Sequence, residues 1–98
     1  MDEMISIAIA RAMPGRVGDL ERELLARVEP TRAQTGNIAF TLHRLADDPA
    51  AVVAIERWAS RQDWQQHLQG EHVTSLMAMF QQLLASPPEI QVLTPLPT

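Results

Sequence analysis

The chain has 98 residues, is 46% hydrophobic and 20% charged, and carries a net charge of −4 with no cysteine. A chain of this length makes one domain with a real core, and the composition is that of a folded protein. Its eight basic residues are scattered from Arg11 to Arg61 without a stripe to neutralise a phosphate backbone, and the missing cysteines exclude disulfides, thiol nucleophiles and cysteine-held metal or iron–sulfur sites.

Met1 to Ala12 is apolar but carries acids where a signal peptide carries bases, and no stretch is long enough to span a bilayer, so the cytoplasm is the expected compartment and no membrane partner is expected. Within this segment, Met4 to Arg11 alternates large aliphatic with small residues, the period of a strand. Pro14-Gly15 punctuates it. Val17, Leu20, Leu24, Leu25 and Val28 then recur at three- and four-residue steps, an amphipathic helix that Pro30 should bend or end.

Gly36-Asn37 turns the chain into a second strand, in which Ile38, Phe40 and Leu42 alternate with Ala39, Thr41 and His43. Asp47-Asp48-Pro49 closes it, and Ala51 to Trp58 gives a third strand, antiparallel to the second across a loop of hairpin length. Ser60 with Asp63 predicts a helix N-terminus near Arg61, carrying Trp64, His67 and Leu68 up to Gly70. A further helix from about His72 places Val73, Leu76, Met77, Phe80, Leu83 and Leu84 on one stripe; Ser86-Pro87-Pro88 stops it, and Glu89 to Thr94 reads as a last strand.

Strand, helix, strand, strand, helix pair, strand is the order of a ferredoxin-like, split βαβ α+β fold, an antiparallel sheet with its helices on one face. Yet both faces of the strands are apolar or small. The large set (Ile5, Ile7, Ile9, Ile38, Phe40, Leu42, Val53 and Ile55) is expected to bury itself against a second copy of the chain. At roughly 1.5–3 kcal/mol for each fully buried side chain, leaving that set in water is not credible. The small set (Ser6, Ala8, Ala10, Ala39, Thr41, Val52 and Ala54) then looks towards the helices and leaves a cavity beneath them. Periodicity alone leaves the reverse assignment open.

Gly36-Asn37, Phe40, Leu42-His43-Arg44, Asp47-Asp48-Pro49, Glu56-x-Trp58, His67-Leu68, His72 and a closing Leu93-x-Pro95-Leu96 resemble the antibiotic biosynthesis monooxygenase family along nearly the whole chain, 1–98, as a single domain. The resemblance implies a dimeric α+β barrel and, for some members, oxygenation of phenols or hydroquinones by molecular oxygen without metal, flavin or haem. Other members include an isomerase of signalling sugars and haem-degrading proteins. Two departures stand out: the chain has no tyrosine, with Phe40 where many relatives show one, and Asn37 follows Gly36 where cysteine is frequent.

His43, at the end of strand two on the small-residue face, is the expected base for a phenolic proton; the competing reading is a histidine bonded to backbone or to Asp47. Glu56 and Trp58 share a strand face, with Ala54 opening space beside them, so a carboxylate and an indole wall suit a flat aromatic ligand. Against this stand an ion pair of Glu56 with Arg44 or with Arg57 of another chain, and Trp58 as plain core. His67 and His72 are read either as substrate-binding or as helix-end packing residues. A metal site from these histidines and Glu56 would need a favourable tertiary approach, since a five-residue spacing across Gly70 does not place two ligands on one helical face, so no metal or cofactor is expected. The expected function is cofactor-independent oxidation of a hydroquinone or polyphenol-like molecule. The alternatives are isomerisation of a small carbonyl compound or signalling sugar, and a non-catalytic dimer that binds a small molecule.

Overall fold

The computed structural model describes residues 3–98; the acidic start read above includes Asp2, which lies outside them. The elements are β1 (Met4–Arg11), α1 (Val17–Leu25), α2 (Val28–Arg32), β2 (Asn37–Leu45), β3 (Asp48–Trp58), α3 (Arg61–Leu68), α4 (Glu71–Leu83) and β4 (Glu89–Leu93). The four strands form one antiparallel sheet in the order β2-β3-β1-β4. With its helices on one face, this is the ferredoxin-like α+β fold. No described helix is long and apolar enough to cross a membrane.

Pro30 neither bends nor ends a long helix. The chain breaks earlier, at Ala26–Arg27, and Pro30 falls in the first turn of the short α2, where its missing N–H costs nothing. Ser60 caps α3 as its sequence suggests, its Oγ accepting from the Asp63 amide at 3.1 Å.

Residues opposite one another in an antiparallel sheet share a face. Ser6 faces Glu56, Ala8 faces Ala54 and Ala10 faces Val52, so the small residues of β1 and β3 do lie on one side. That side meets the helices: Ala10, Ala12 and Val52 form a core with Leu20 and Leu24 of α1, Leu76 and Leu83 of α4, and Leu84. The opposite side presents Ile5, Ile7, Ile9, Val53 and Ile55 without a helix over them.

Strand β2 departs from the expected faces. Asn37 pairs with Trp58 but Ala39 pairs with Arg57, so Ile38 is an extra residue, a bulge held by Asn37 Nδ2 donating to the Ala39 carbonyl at 3.3 Å. One inserted residue inverts every side chain that follows. Phe40 therefore lies opposite Glu56 and Leu42 opposite Ala54 on the helix side, whereas Thr41 and His43 lie opposite Ile55 and Val53 on the open face. Phe40 is buried and Leu42 packs on the core, so neither belongs to the exposed aliphatic set.

Gly36, at φ +83°, makes the turn into β2, and a Cβ there would collide with the Asp63 carboxylate. Gly36→Ala is expected to cost about 1–3 kcal/mol from its left-handed backbone alone, measurable as a lower urea midpoint, because it also disturbs the cap of α3.

Candidate active site

The small side chains of Ser6, Ala8 and Ala54 leave the middle of the helix-facing sheet unfilled, and α1, α2, α3 and α4 roof it. The resulting cavity has a volume of about 80 Å³. Phe40, Leu68, Val73, Leu76 and Phe80 give it apolar walls, and it meets solvent near the exposed Met77 of α4 and Ile90 of β4. Its polar groups gather at one end, where Glu56, His67, His72 and Thr31 converge.

The turn at Gln69–Gly70 explains why. It ends α3 just after His67 and starts α4 just before His72, so two histidines five residues apart bring their ring centroids within 5.3 Å. The His67 ring also packs on Trp58, with centroids 4.8 Å apart, and its Nε2 lies 3.6 Å from Glu56 Oε1. The other ring nitrogen, Nδ1, is 2.6 Å from Gln34 Oε1. Trp58 Nε1 donates to Glu56 Oε1 at 2.9 Å, and His72 Nε2 lies 3.4 Å from Thr31 Oγ1.

Burial sets the protonation states. It raises the Glu56 carboxyl above the usual carboxylate range, against the lowering pull of the Trp58 N–H. Burial, assisted by His72, pushes the His67 imidazole down to about 4, and burial followed by the charge of Arg27 lowers His72. At neutral pH His67 is therefore an uncharged imidazole, and its approach to Glu56 is not an ion pair. Arg27 adds no free cation to the cavity: its nitrogens are taken by Glu23, by the His72 carbonyl at 2.8 Å and by Ser75.

These shifts predict how stability depends on pH. Unfolded, His67 takes up a proton as pH falls below 6.5, but folded it does so only near 4, so stability falls through that window as pH is lowered. The full effect is about 3 kcal/mol. Glu56 acts in the other direction: its raised carboxyl contributes stability below its ordinary 4.5 that is lost as pH rises through the folded value. Between pH 6.5 and 4 the wild-type urea midpoint should therefore fall relative to that of a variant in which His67 is replaced.

Glu56, His67, His72 and Ala54 thus line one cavity, but two of the residues proposed from sequence stand elsewhere. His43 is exposed on the open face, its Nε2 2.9 Å from Thr41 Oγ1, because the Ile38 bulge turned it away from the helices. Trp58 is fully buried beside Glu56 and does not line the cavity. Nor does Glu56 pair with an arginine of its own chain: Arg44 is held by Glu21 at 2.8 Å and Arg57 by Glu3. Among the described residues no three histidine or acidic groups come together as a metal-binding set. The sequence reading missed Phe40 as a cavity wall, Thr31, and Gln34, which sits in the irregular segment between α2 and β2, where no periodicity signals its direction.

The comparisons with known proteins agree with this architecture. The antibiotic biosynthesis monooxygenase family matches residues 4–79. The structure of Rv0793 from Mycobacterium tuberculosis superposes with a TM-score of 0.93 at 30% identity, covering 99% of this chain and 98% of that one. PA3566 from Pseudomonas aeruginosa gives 0.91 at 31% identity, covering 98% and 96%. A protein solved as an antibiotic biosynthesis monooxygenase gives 0.88 at 23% identity, covering 96% and 99%, a level that speaks to the fold. No curated protein matches the chain. With the family profile spanning most of the sequence and the solved relatives spanning nearly all of it, the chain belongs to the antibiotic biosynthesis monooxygenase family.

Proposed function

We propose that the protein oxidises a compact, uncharged hydroquinone or phenol with molecular oxygen, in the cavity between sheet and helices. The observation that carries this reading is the pairing of an apolar chamber with a single polar end, where a neutral His67 and a Glu56 whose carboxyl is raised by burial stand side by side. In this reading a phenol ring lies between Phe40 and the helix side chains with its hydroxyl towards that end. His43, placed on the other face, has no part in this chemistry.

His67 accepts the phenolic proton. Its own basicity is low because burial disfavours the imidazolium, but a phenolate beside it supplies a compensating opposite charge, so proton transfer and ion pairing strengthen each other. The phenolate passes one electron to O₂, and the resulting substrate radical and superoxide join at a ring carbon. Glu56 can return a proton to the peroxide. The hydroperoxide then breaks its O–O bond and loses water, leaving a carbonyl. One oxygen atom stays in the product, the other leaves as water, and no external reductant is consumed. The protein's share is orientation, exclusion of bulk water and the proton path.

We also assign the open sheet face, with Ile5, Ile7, Ile9, Val53 and Ile55, to contact with a second copy of the chain. Light scattering should report twice the monomer mass, and Ile7→Asp, which puts a charge at the centre of that face, should shift the species towards monomer; a wild-type monomer would remove this assignment.

Oxygen uptake with a panel of hydroquinones, with ¹⁸O₂ to follow the atoms, tests the function. One labelled oxygen in the quinone and one in water is expected. Absence of uptake with proton exchange on a small carbonyl compound would instead favour isomerisation, for which the same Glu56–His67 pair is suited as proton donor and acceptor.

A further inference from the structure

Between α2 and β2, Gln34 is a polar side chain without a part in the chemistry so far described. Its backbone is fixed from both sides: its amide donates to the Thr31 carbonyl at 3.0 Å, and its own carbonyl accepts from the Asn37 amide at 3.2 Å. Its side chain reaches across to α3 and places Oε1 2.6 Å from His67 Nδ1. The amide nitrogen lies beside Gly70: a Cβ built there would sit in ordinary contact, 3.6 Å from Gln34 Nε2 and 3.5 Å from His72 Cε1.

We propose that Gln34 is a positioning residue that fixes the His67 tautomer. A neutral imidazole carries one N–H and one lone pair, and the partner of one nitrogen decides the role of the other. A carbonyl oxygen can only accept, so Gln34 holds the proton on Nδ1. The lone pair is then left on Nε2, the nitrogen turned towards Glu56. Without Gln34 the proton is free to sit on Nε2, and the ring then presents a donor where the reaction described above needs an acceptor. The other groups around the ring do not compete for Nδ1: Glu56 approaches the opposite nitrogen from β3, Trp58 packs on the ring, and His72 of α4 lies ring to ring with it, with Arg27 beyond. This assignment rests on the proposed function for its purpose but not for its test.

The test is a long-range ¹H–¹⁵N correlation spectrum of protein labelled at histidine nitrogens, with the His67 signals identified by their loss in His67→Leu. In wild type, Nδ1 should carry the proton and Nε2 the lone pair. Gln34→Met, of similar length but without an acceptor, should lose that preference. Gln34→Glu should restore it and move the His67 titration midpoint up by about one pH unit or more, because a carboxylate favours the charged imidazolium. A wild-type spectrum with the proton on Nε2 overturns the proposal, as does a Gln34→Met spectrum unchanged from wild type. If Gln34→Met does not fold, the Gln34→Glu midpoint decides alone, and a midpoint that stays put overturns it. Because the spectrum needs no substrate, a confirmed tautomer with no oxygen uptake would count against the function only, and turnover with the opposite tautomer against Gln34 only.

Discussion

Replacing His67 with leucine should lower turnover of the preferred hydroquinone by roughly 10²–10⁴-fold, the usual contribution of a positioned general base. Leucine suits the site physically. It fills a comparable volume against Trp58, and it leaves Gln34, only half-buried, able to turn towards water. The loss should appear in kcat, since the phenolic proton moves in the reaction and not on binding. The same change removes the group whose protonation opposes folding in acid, so the variant should be slower yet keep more of its stability between pH 6.5 and 4. That crossing of signs separates a chemical role from damage to the fold, because a damaged fold would lower both. Glu56→Gln still accepts from Trp58 Nε1 but can neither hold nor release the proton. Combined with His67→Leu it should add little, as expected of two groups acting in one proton path. An unchanged rate in His67→Leu would end the assignment of this end of the cavity as the reacting end.

The fold was legible because its signals are local. The alternation of Met4 to Arg11, the helical step of Val17 to Leu24 and the Ser60–Asp63 cap each act within a few residues, and together they leave few topologies open. Which face β2 turns to the helices was not legible in that way. Without the Ile38 bulge, Thr41 and His43 would lie opposite Ala54 and Val52 on the helix side, and His43 would be the natural base; with it, Leu42 and Arg44 take those places and Phe40 lies opposite Glu56. A single extra residue leaves the hydrophobic pattern of a strand intact and reverses its meaning, since pairing register is a property of two strands. The polar end of the cavity was half legible. Glu56 and His67 could be singled out by chemical type, but their meeting depends on the turn at Gly70 and on how α3 docks over β3. Gln34 gave no signal at all, because a glutamine between elements has no face to be read.

Trp58→Ala should lower stability by about 3–5 kcal/mol, the cost expected for truncating a fully buried tryptophan. Trp58 is fully buried, so truncation leaves a void beside His67 that the surrounding sheet cannot collapse to fill. It also removes the Nε1 donor from Glu56, a buried carboxyl whose pairing is then lost. A loss of that size is a large share of the 5–15 kcal/mol typical of a small domain, and the urea midpoint should fall accordingly. Trp58→Phe separates the two contributions. It keeps most of the apolar volume but not the N–H, so it should fall between wild type and Trp58→Ala in stability. In that variant the Glu56 carboxyl should rise further, because the indole N–H is what holds it down against burial. Stability equal to wild type in Trp58→Phe, with no change in how Glu56 titrates by carboxyl ¹³C NMR, would show that the indole acts only as bulk. The structure points the other way: Trp58 stands behind the cavity wall, where its ring supports His67 and its N–H restrains Glu56, so one buried side chain sets the position of one proton-transfer group and the acidity of the other.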